Sequence, residues 1–349
     1  IVNLSADLRQ IALVTILTRA GLSLNIDKLK KVGRPAIFLS FLPATFEMLG
    51  LIIFGRMIFK INTIDAGILA AVLAAVSPAI VVPRMIKLMD EGYGRDKNIP
   101  EMILAGASVD DVFVIVFFSS FLALKTGGQL SAMSFINIPI SIATGILLGI
   151  VVGQISTSLF RKFNLASIYK AMIFISISFL MLKLQSMVED YIAIAALISI
   201  MTSGMIINRK DETLAKELLS SYDRLWKVFE LFLFVLVGIS VDMSYVKEAG
   251  ILAVLLILIG LIFRMVGVNI SLLGTNLNKD ERLFTSFAYL PKATVQAAIG
   301  PVALSMGLAS GNLILSVSVI AILITAPLGA ILTDKTYKKL LKKGTVKKR

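Results

Sequence analysis

Apolar residues in this chain run for about 17–25 positions at a time, the length that carries a helix across a hydrocarbon core of about 30 Å. Short polar stretches bearing Gly, Pro and charge separate the runs. Eleven runs predict membrane-spanning helices, with cores at 8–25, 35–59, 64–89, 99–124, 135–159, 168–184, 191–208, 226–242, 249–271, 283–305 and 311–333. They are apolar all round rather than on one face, as expected of helices with lipid or protein on every side. Composition agrees: 57% of the 349 residues are apolar and 16% charged, with a mean hydropathy of +0.89. Soluble domains lie nearer ~45–50% apolar and ~25% charged.

The charge pattern gives an orientation. The net charge of +13 could point to nucleic acid, but the basic residues alternate between sides of the predicted spans. With the basic tail 335–349 taken as cytoplasmic, most of the 35 Lys and Arg fall on that side. The opposite side holds Arg9, Arg56, Lys60, Lys125, Lys183 and Lys247. This asymmetry is the positive-inside rule. It predicts an external N-terminal side, a multi-pass protein of the cell membrane, and a tail near anionic lipid. No nucleic-acid partner is expected. The chain begins at Ile1, which suggests that the natural N-terminus lies further upstream.

An internal repeat follows from aligning Gly21–Gly33 with Gly238–Gly250 at an offset of 217. Gly21, Ser23, Lys30 and Gly33 match Gly238, Ser240, Lys247 and Gly250, and Asn25 faces Asp242. The corresponding spans run in opposite directions. The chain thus reads as a first inverted repeat over 1–124, linking helices over 125–224, a second repeat over 225–334, and the tail. Inverted repeats are a mark of secondary transporters, whose sites lie near the midplane on broken helices. Each repeat offers one candidate break, at Pro78 in one span and at Pro291 and Lys292 in the other, because proline removes a backbone donor and displaces the carbonyl four residues earlier.

Ionisable residues inside spans are costly, at roughly 2.5–3.5 kcal/mol each, and are functional candidates by default. Asp110 and Asp111 lie about mid-span in the fourth run. Neighbours on a helix point ~100° apart, so the two carboxyls are expected to differ: Asp111 to hold a cation, Asp110 to face a buried base. Two carboxyls in a low-dielectric site do not both stay charged without a cation or a proton, and competition between the two is a basis for coupled exchange. Ser77 and carbonyls freed around Pro78 would complete an oxygen shell for a small hard cation. Glu47 and Arg264 stand 217 residues apart, the repeat offset, and predict a buried ion pair that a charge-swapped double variant should partly restore. Lys292 has two open readings. Its ammonium could sit at C-terminal half-helix ends, or reach Asp110 and be displaced by the cation.

The stretches AVSPAIVVP (75–83), GYG (92–94), ASVDD (107–111), LPKATVQAAIG (290–300), LPATFE (42–47) and FVLVGISVD (234–242) resemble the NHA group of cation/proton antiporters. The resemblance covers essentially the whole chain. It implies an all-α polytopic fold with inverted repeats and two discontinuous crossing helices, a core domain and a dimerisation domain, usually a homodimer, and elevator-like alternating access. It implies a cation and proton site at Asp110 and Asp111, with Na⁺ or Li⁺ as the metal ion exchanged for H⁺ and K⁺ as the alternative. Ser77 and Pro78 are implied on one crossing helix, Pro291, Lys292 and Thr294 on the other, and Glu47–Arg264 as the core pair. The resemblance also implies, from an Asp at 110 where electroneutral relatives carry Asn, electrogenic exchange, with Lys292 and Arg264 as groups that could change the proton count. The group has thirteen or more spans, so two initial helices, part of the dimer surface, are expected to precede this chain.

The absence of Cys and His excludes disulfides, thiol chemistry, His-based metal sites and a His pH switch. No catalytic triad, zinc spacing or nucleotide fingerprint is visible, so neither an enzyme nor a cofactor is expected. The partners expected are monovalent cations, protons, membrane lipids and a second copy of the chain.

Overall fold

A computed structural model describes residues 2–23, 33–126, 132–163, 165–188, 192, 194–240 and 243–344. Its ordered elements are helical: α1 (Val2–Ser23), α2 (Arg34–Leu39), α3 (Leu42–Phe59), α4 (Thr63–Ala74), α5 (Pro78–Glu91), a 3-10 turn (Arg95–Lys97), α6 (Ile99–Thr126), α7 (Ala132–Lys162), α8 (Ser167–Val188), α9 (Ala196–Lys210), α10 (Glu212–Ser240), α11 (Met243–Ser271), α12 (Lys279–Ala288), α13 (Thr294–Ile299), α14 (Val302–Ser305) and α15 (Gly311–Leu340). Among the described residues, each expected span overlaps a helix or a set of helix fragments. Seven helical segments among those residues are long and apolar enough to cross a membrane, which makes this a multi-pass membrane protein. α10 falls outside those seven because its first half carries Glu212, Lys216, Glu217, Asp223, Arg224 and Lys227.

The aligned repeat segments lie largely outside the described residues, since 24–32, 241 and 242 are not described; Asn25, Lys30 and Asp242 are among these. The last helix continues to Leu340, so the first residues of the expected tail belong to it.

The chain divides into two compact units. One comprises Ile1–Asn25 and Ile115–Ile239. There α7 and α9 pack closely because Gly145, Gly149 and Gly153 recur every four residues on α7. A Cβ at these positions would press on the backbone carbonyls of Ala195, Ser199 and Ser203, respectively. Such small-xxx-small spacing lets helix backbones approach where lipid offers no hydrophobic drive. Arg19 pairs with Asp223 at 2.7 Å in the same unit.

The other unit comprises Ile26–Val114 and Ser240–Arg349, and it contains both broken helices. α4 starts at Asn62, whose side chain accepts from the Asp65 amide. It ends before Pro78 because a residue preceding proline is pushed toward extended backbone. Accordingly Ala75 (ψ 138) and Ser77 (ψ 107) are extended, and Pro78 opens α5, where its missing N–H costs nothing. α12 begins with a capping box between Asn278 and Glu281. It ends at Tyr289, just before Pro291, and helix resumes at Thr294. The two breaks meet: the Ser77 amide donates to the Pro291 carbonyl at 2.8 Å.

α15 passes behind this crossing. Gly329 faces the Pro291 ring so closely that a Cβ there would overlap it. At its far end the chain pairs with the turn after α5. Gly94 N donates to Lys342 O at 2.9 Å, and Gly344 N to Gly92 O at 2.8 Å. Gly92 (φ 84) and Gly94 (φ 69) take the left-handed conformations this turn requires. Tyr93 and Tyr337 meet edge-on at 5.0 Å, and Tyr337 donates to Glu91 at 2.8 Å.

Replacing Gly329 with Val forces α15 off Pro291. It is expected to cost about 1–3 kcal/mol, as other overpacked cores do, and to lower the melting temperature of the detergent-purified protein. An unchanged melting temperature would contradict the close approach.

Candidate functional site

The helix breaks dictate the chemistry around them. A helix leaves its last carbonyls without internal partners, and in a membrane interior protein groups must supply them. At α4 this supply comes from side chains of other helices. Arg264 of α11 donates from Nη1 to the Ala74 carbonyl. Gln296 of α13 donates from Nε2 toward the carbonyls of Ala75 (2.8 Å), Val72 (3.2 Å) and Leu73 (3.4 Å). At α12, Arg264 Nε donates to the Tyr289 carbonyl at 2.6 Å. One guanidinium therefore caps both broken helices at their C-terminal ends.

The same guanidinium gathers the acids. Arg264 Nη1 lies 2.7 Å from Glu47 Oε2, and Nη2 lies 3.0 Å from Asp110 Oδ2. That Asp110 oxygen also accepts from the Val76 amide at 2.8 Å. Lys292 Nζ sits 2.7 Å from Glu47 Oε1. Glu47, Asp110, Arg264 and Lys292 are all 1% exposed or less. Two acids and two bases thus form a charge-balanced tetrad, which suits charges withdrawn from water, with Asp110 Oδ1 left without a donor and Lys292 Nζ paired to Glu47 by charge but making no hydrogen bond.

Asp111 stands apart. It is 4% exposed, and no ion pair or hydrogen bond involves it among the described residues. Its Oδ1 is buried without a donor, as are Asp110 Oδ1 and the hydroxyl of Ser77, the residue that precedes α5. Buried polar oxygens without partners are rare and call for an explanation. Among the described residues no three carboxylates come together as a metal cluster. A cation here would draw on hydroxyl or backbone oxygens beside Asp111, a donor set suited to a small hard ion.

The sequence candidates divide accordingly. The structure brings Glu47, Asp110, Arg264 and Lys292 into one network. It sets Ser77, Pro78 and Pro291 at the meeting breaks and Thr294 at the start of α13, 2% exposed. One reading is corrected. Lys292 neither caps C-terminal half-helix ends nor reaches Asp110 as its ion-pair partner, because Glu47 is nearer and Arg264 and Gln296 occupy the carbonyls. Arg264 is also more than the partner of Glu47: it touches Asp110 and two backbone carbonyls. Sequence reasoning missed Gln296 and Thr325, whose hydroxyl accepts from the Lys292 amide at 3.0 Å. The visible signal for Gln296 was an uncharged polar residue inside an apolar run, four positions beyond Lys292.

A family model described as sodium/hydrogen exchanger, transmembrane, matches residues 5–336. The chain belongs to the sodium/hydrogen exchanger family. It is 31% identical to sodium/hydrogen exchanger 9B2 of Xenopus tropicalis over 359 residues, covering 97% of this chain and 65% of that protein. It is 31% identical to the Homo sapiens 9B2 protein, with the same two coverages, and 30% identical to the Homo sapiens 9B1 protein, covering 97% of this chain and 67% of that one. The chain thus spans about 65% of the length of the first of these relatives. The sodium proton antiporter MjNhaP1 from Methanocaldococcus jannaschii superposes with a TM-score of 0.79 at 20% identity, covering 95% of this chain and 85% of that one. This exchanger-family chain therefore shares that antiporter's fold.

Removing either Glu47 or Arg264 strands buried charge, and Glu47→Ala and Arg264→Ala are each expected to cost roughly 3–5 kcal/mol. The charge-swapped double variant is now expected not to recover stability. A glutamate at position 264 would face Asp110 and the carbonyls of Ala74 and Tyr289. Melting curves of the two single variants and the swap test this, and recovery in the swap would show that the carbonyl contacts carry little weight.

Proposed function

We propose that this exchanger-family chain forms a secondary antiporter that exchanges Na⁺ or Li⁺ for H⁺ by alternating access, with Asp111 as the group on which cation and proton compete. The observation that carries the reading is the contrast between the two neighbouring carboxyls. Asp110 is held by Arg264 and the Val76 amide, whereas Asp111 is buried, unpaired and close in sequence to the same crossing. A buried acid without a counter-charge favours a proton or a cation and disfavours having neither, which is the logic of obligatory exchange.

The charge balance of the tetrad sharpens the stoichiometry. With Glu47, Asp110, Arg264 and Lys292 compensating one another, Asp111 carries the exchanged charge alone. A one-for-one exchange on it would move no net current, in contrast to the electrogenic exchange suggested by the mere presence of Asp110. Residence in the cell membrane with the basic C-terminal segment cytoplasmic, a homodimer, lipid contacts along the apolar helix faces and the inverted repeat complete the proposal. The charge asymmetry supports the orientation, the exposed apolar side chains support the lipid contacts, the matched positions at an offset of 217 support the inverted repeat, and the resemblance to the antiporter group supports the homodimer.

Reconstituted vesicles with a pH-sensitive dye test the reading. An imposed Na⁺ or Li⁺ gradient should drive proton movement that Asp111→Asn abolishes while the variant still inserts and folds. Exchange at the original rate in that variant would overturn the site. A membrane current accompanying exchange would overturn the single-carboxyl stoichiometry. Exchange with K⁺ but not Na⁺ or Li⁺ would reassign the cation, and conductance without coupling would indicate a channel.

A further inference from the structure

Gln296 has the setting of a group that stands in for an ion. Its side chain is fully buried, and its amide nitrogen lies 2.8, 3.2 and 3.4 Å from the carbonyl oxygens of Ala75, Val72 and Leu73. These oxygens belong to the C-terminal end of α4 and the extended residue after it, where the helix dipole concentrates negative potential. Arg264 takes the remaining carbonyl of this end, that of Ala74. A point that several carbonyl oxygens face at this range is the environment in which broken-helix transporters coordinate monovalent cations. Here an uncharged amide with two N–H groups occupies it. The amide is itself incompletely satisfied, since Gln296 Oε1 is buried without a donor. Hydrophobic packing alone does not select such a residue, because burying an amide oxygen unpaired is unfavourable.

We propose that Gln296 is a positioning residue that acts as a fixed substitute for a cation at the C-terminal end of α4. Its N–H groups neutralise the Val72, Leu73 and Ala75 carbonyls and prevent them from forming a second cation site. The amides of the neighbouring residues Val76 and Ser77 are then held by Asp110 and by the Pro291 carbonyl. Confinement of the transported cation to the Asp111 side follows, and that clause rests on the exchange reading; the substitution at the carbonyls does not.

The test measures melting of the detergent-purified full chain in the Asp111→Asn background, where the proposed transport site is disabled. Na⁺, Li⁺ or K⁺ is titrated against choline at constant ionic strength. Adding Gln296→Ala is expected to lower the melting temperature by roughly 5 °C in choline. A small cation should then restore most of the loss by binding the bared carbonyls, while Asp111→Asn alone responds to no cation. Gln296→Lys in the same background should melt near Asp111→Asn without cation dependence, because its ammonium supplies N–H donors and charge at that point. If the alanine variant does not fold, Gln296→Asn, whose amide is one methylene too short to reach the carbonyls, is read the same way. A loss that no small cation recovers beyond choline, or no loss at all, overturns the proposal. Failure of the unsubstituted chain to move protons in vesicles would overturn the exchange reading and leave this melting comparison intact.

Discussion

The structure of the site-bearing unit depends on one guanidinium. Breaking two helices inside an apolar bundle leaves backbone carbonyls that water cannot reach, and two acids nearby need counter-charge. Arg264 meets both demands because its planar group offers five N–H donors in fixed directions. It caps Ala74 and Tyr289, and it pairs with Glu47 and Asp110. A lysine could not do this, since an ammonium is a compact donor at the end of one stem. Lys292 makes the single ion pair such a group suits, to Glu47. The breaks and the acids are thus one electrostatic problem with one shared solution, and that sharing leaves Asp111 as the unpaired acid.

Much of this was legible in the chain because hydropathy and proline act locally. Apolar runs marked the helices, and Pro78 and Pro291 marked the breaks by the same steric rule. The spacing of Glu47 and Arg264 at the repeat offset pointed to their pairing. What the sequence concealed was competition among partners. Lys292 had two plausible acceptors, and neither is its ion-pair partner, because Glu47 takes its ammonium and Arg264 takes the Ala74 carbonyl. Gln296 was concealed for a related reason: an amide that serves backbone carbonyls leaves no complementary residue to find in the sequence. The ends of helices were also blurred, since the periodicity of an all-round apolar helix does not mark where it stops, as the continuation of α15 to Leu340 illustrates.

The two neighbouring aspartates show how a small rotation separates roles. One turns toward Arg264 and the Val76 amide, while the other remains buried without a partner. Identical chemistry a single residue apart therefore acquires opposite character: one carboxyl is paired within the network, and the other has no ion pair among the described residues. The meeting of the breaks through the Ser77–Pro291 hydrogen bond ties this arrangement to the backbone itself. Side-chain packing is not the sole determinant of where the unpaired acid lies.

The pairing of Lys342 and Gly344 with the Gly92–Gly94 turn bears on how the basic end of the chain presents its charge. A loose tail spreads its lysines through a cloud of conformations, and the field it produces is an average. Here Lys338 lies over the Tyr337 ring and Lys343 over the Tyr93 ring, each 5.7 Å from the centroid, on a segment held by backbone hydrogen bonds. Lys338 and Lys343 consequently hold set positions beside the two rings, like teeth on a comb rather than bristles on a brush. A surface of matching anionic spacing would meet them without first having to order them.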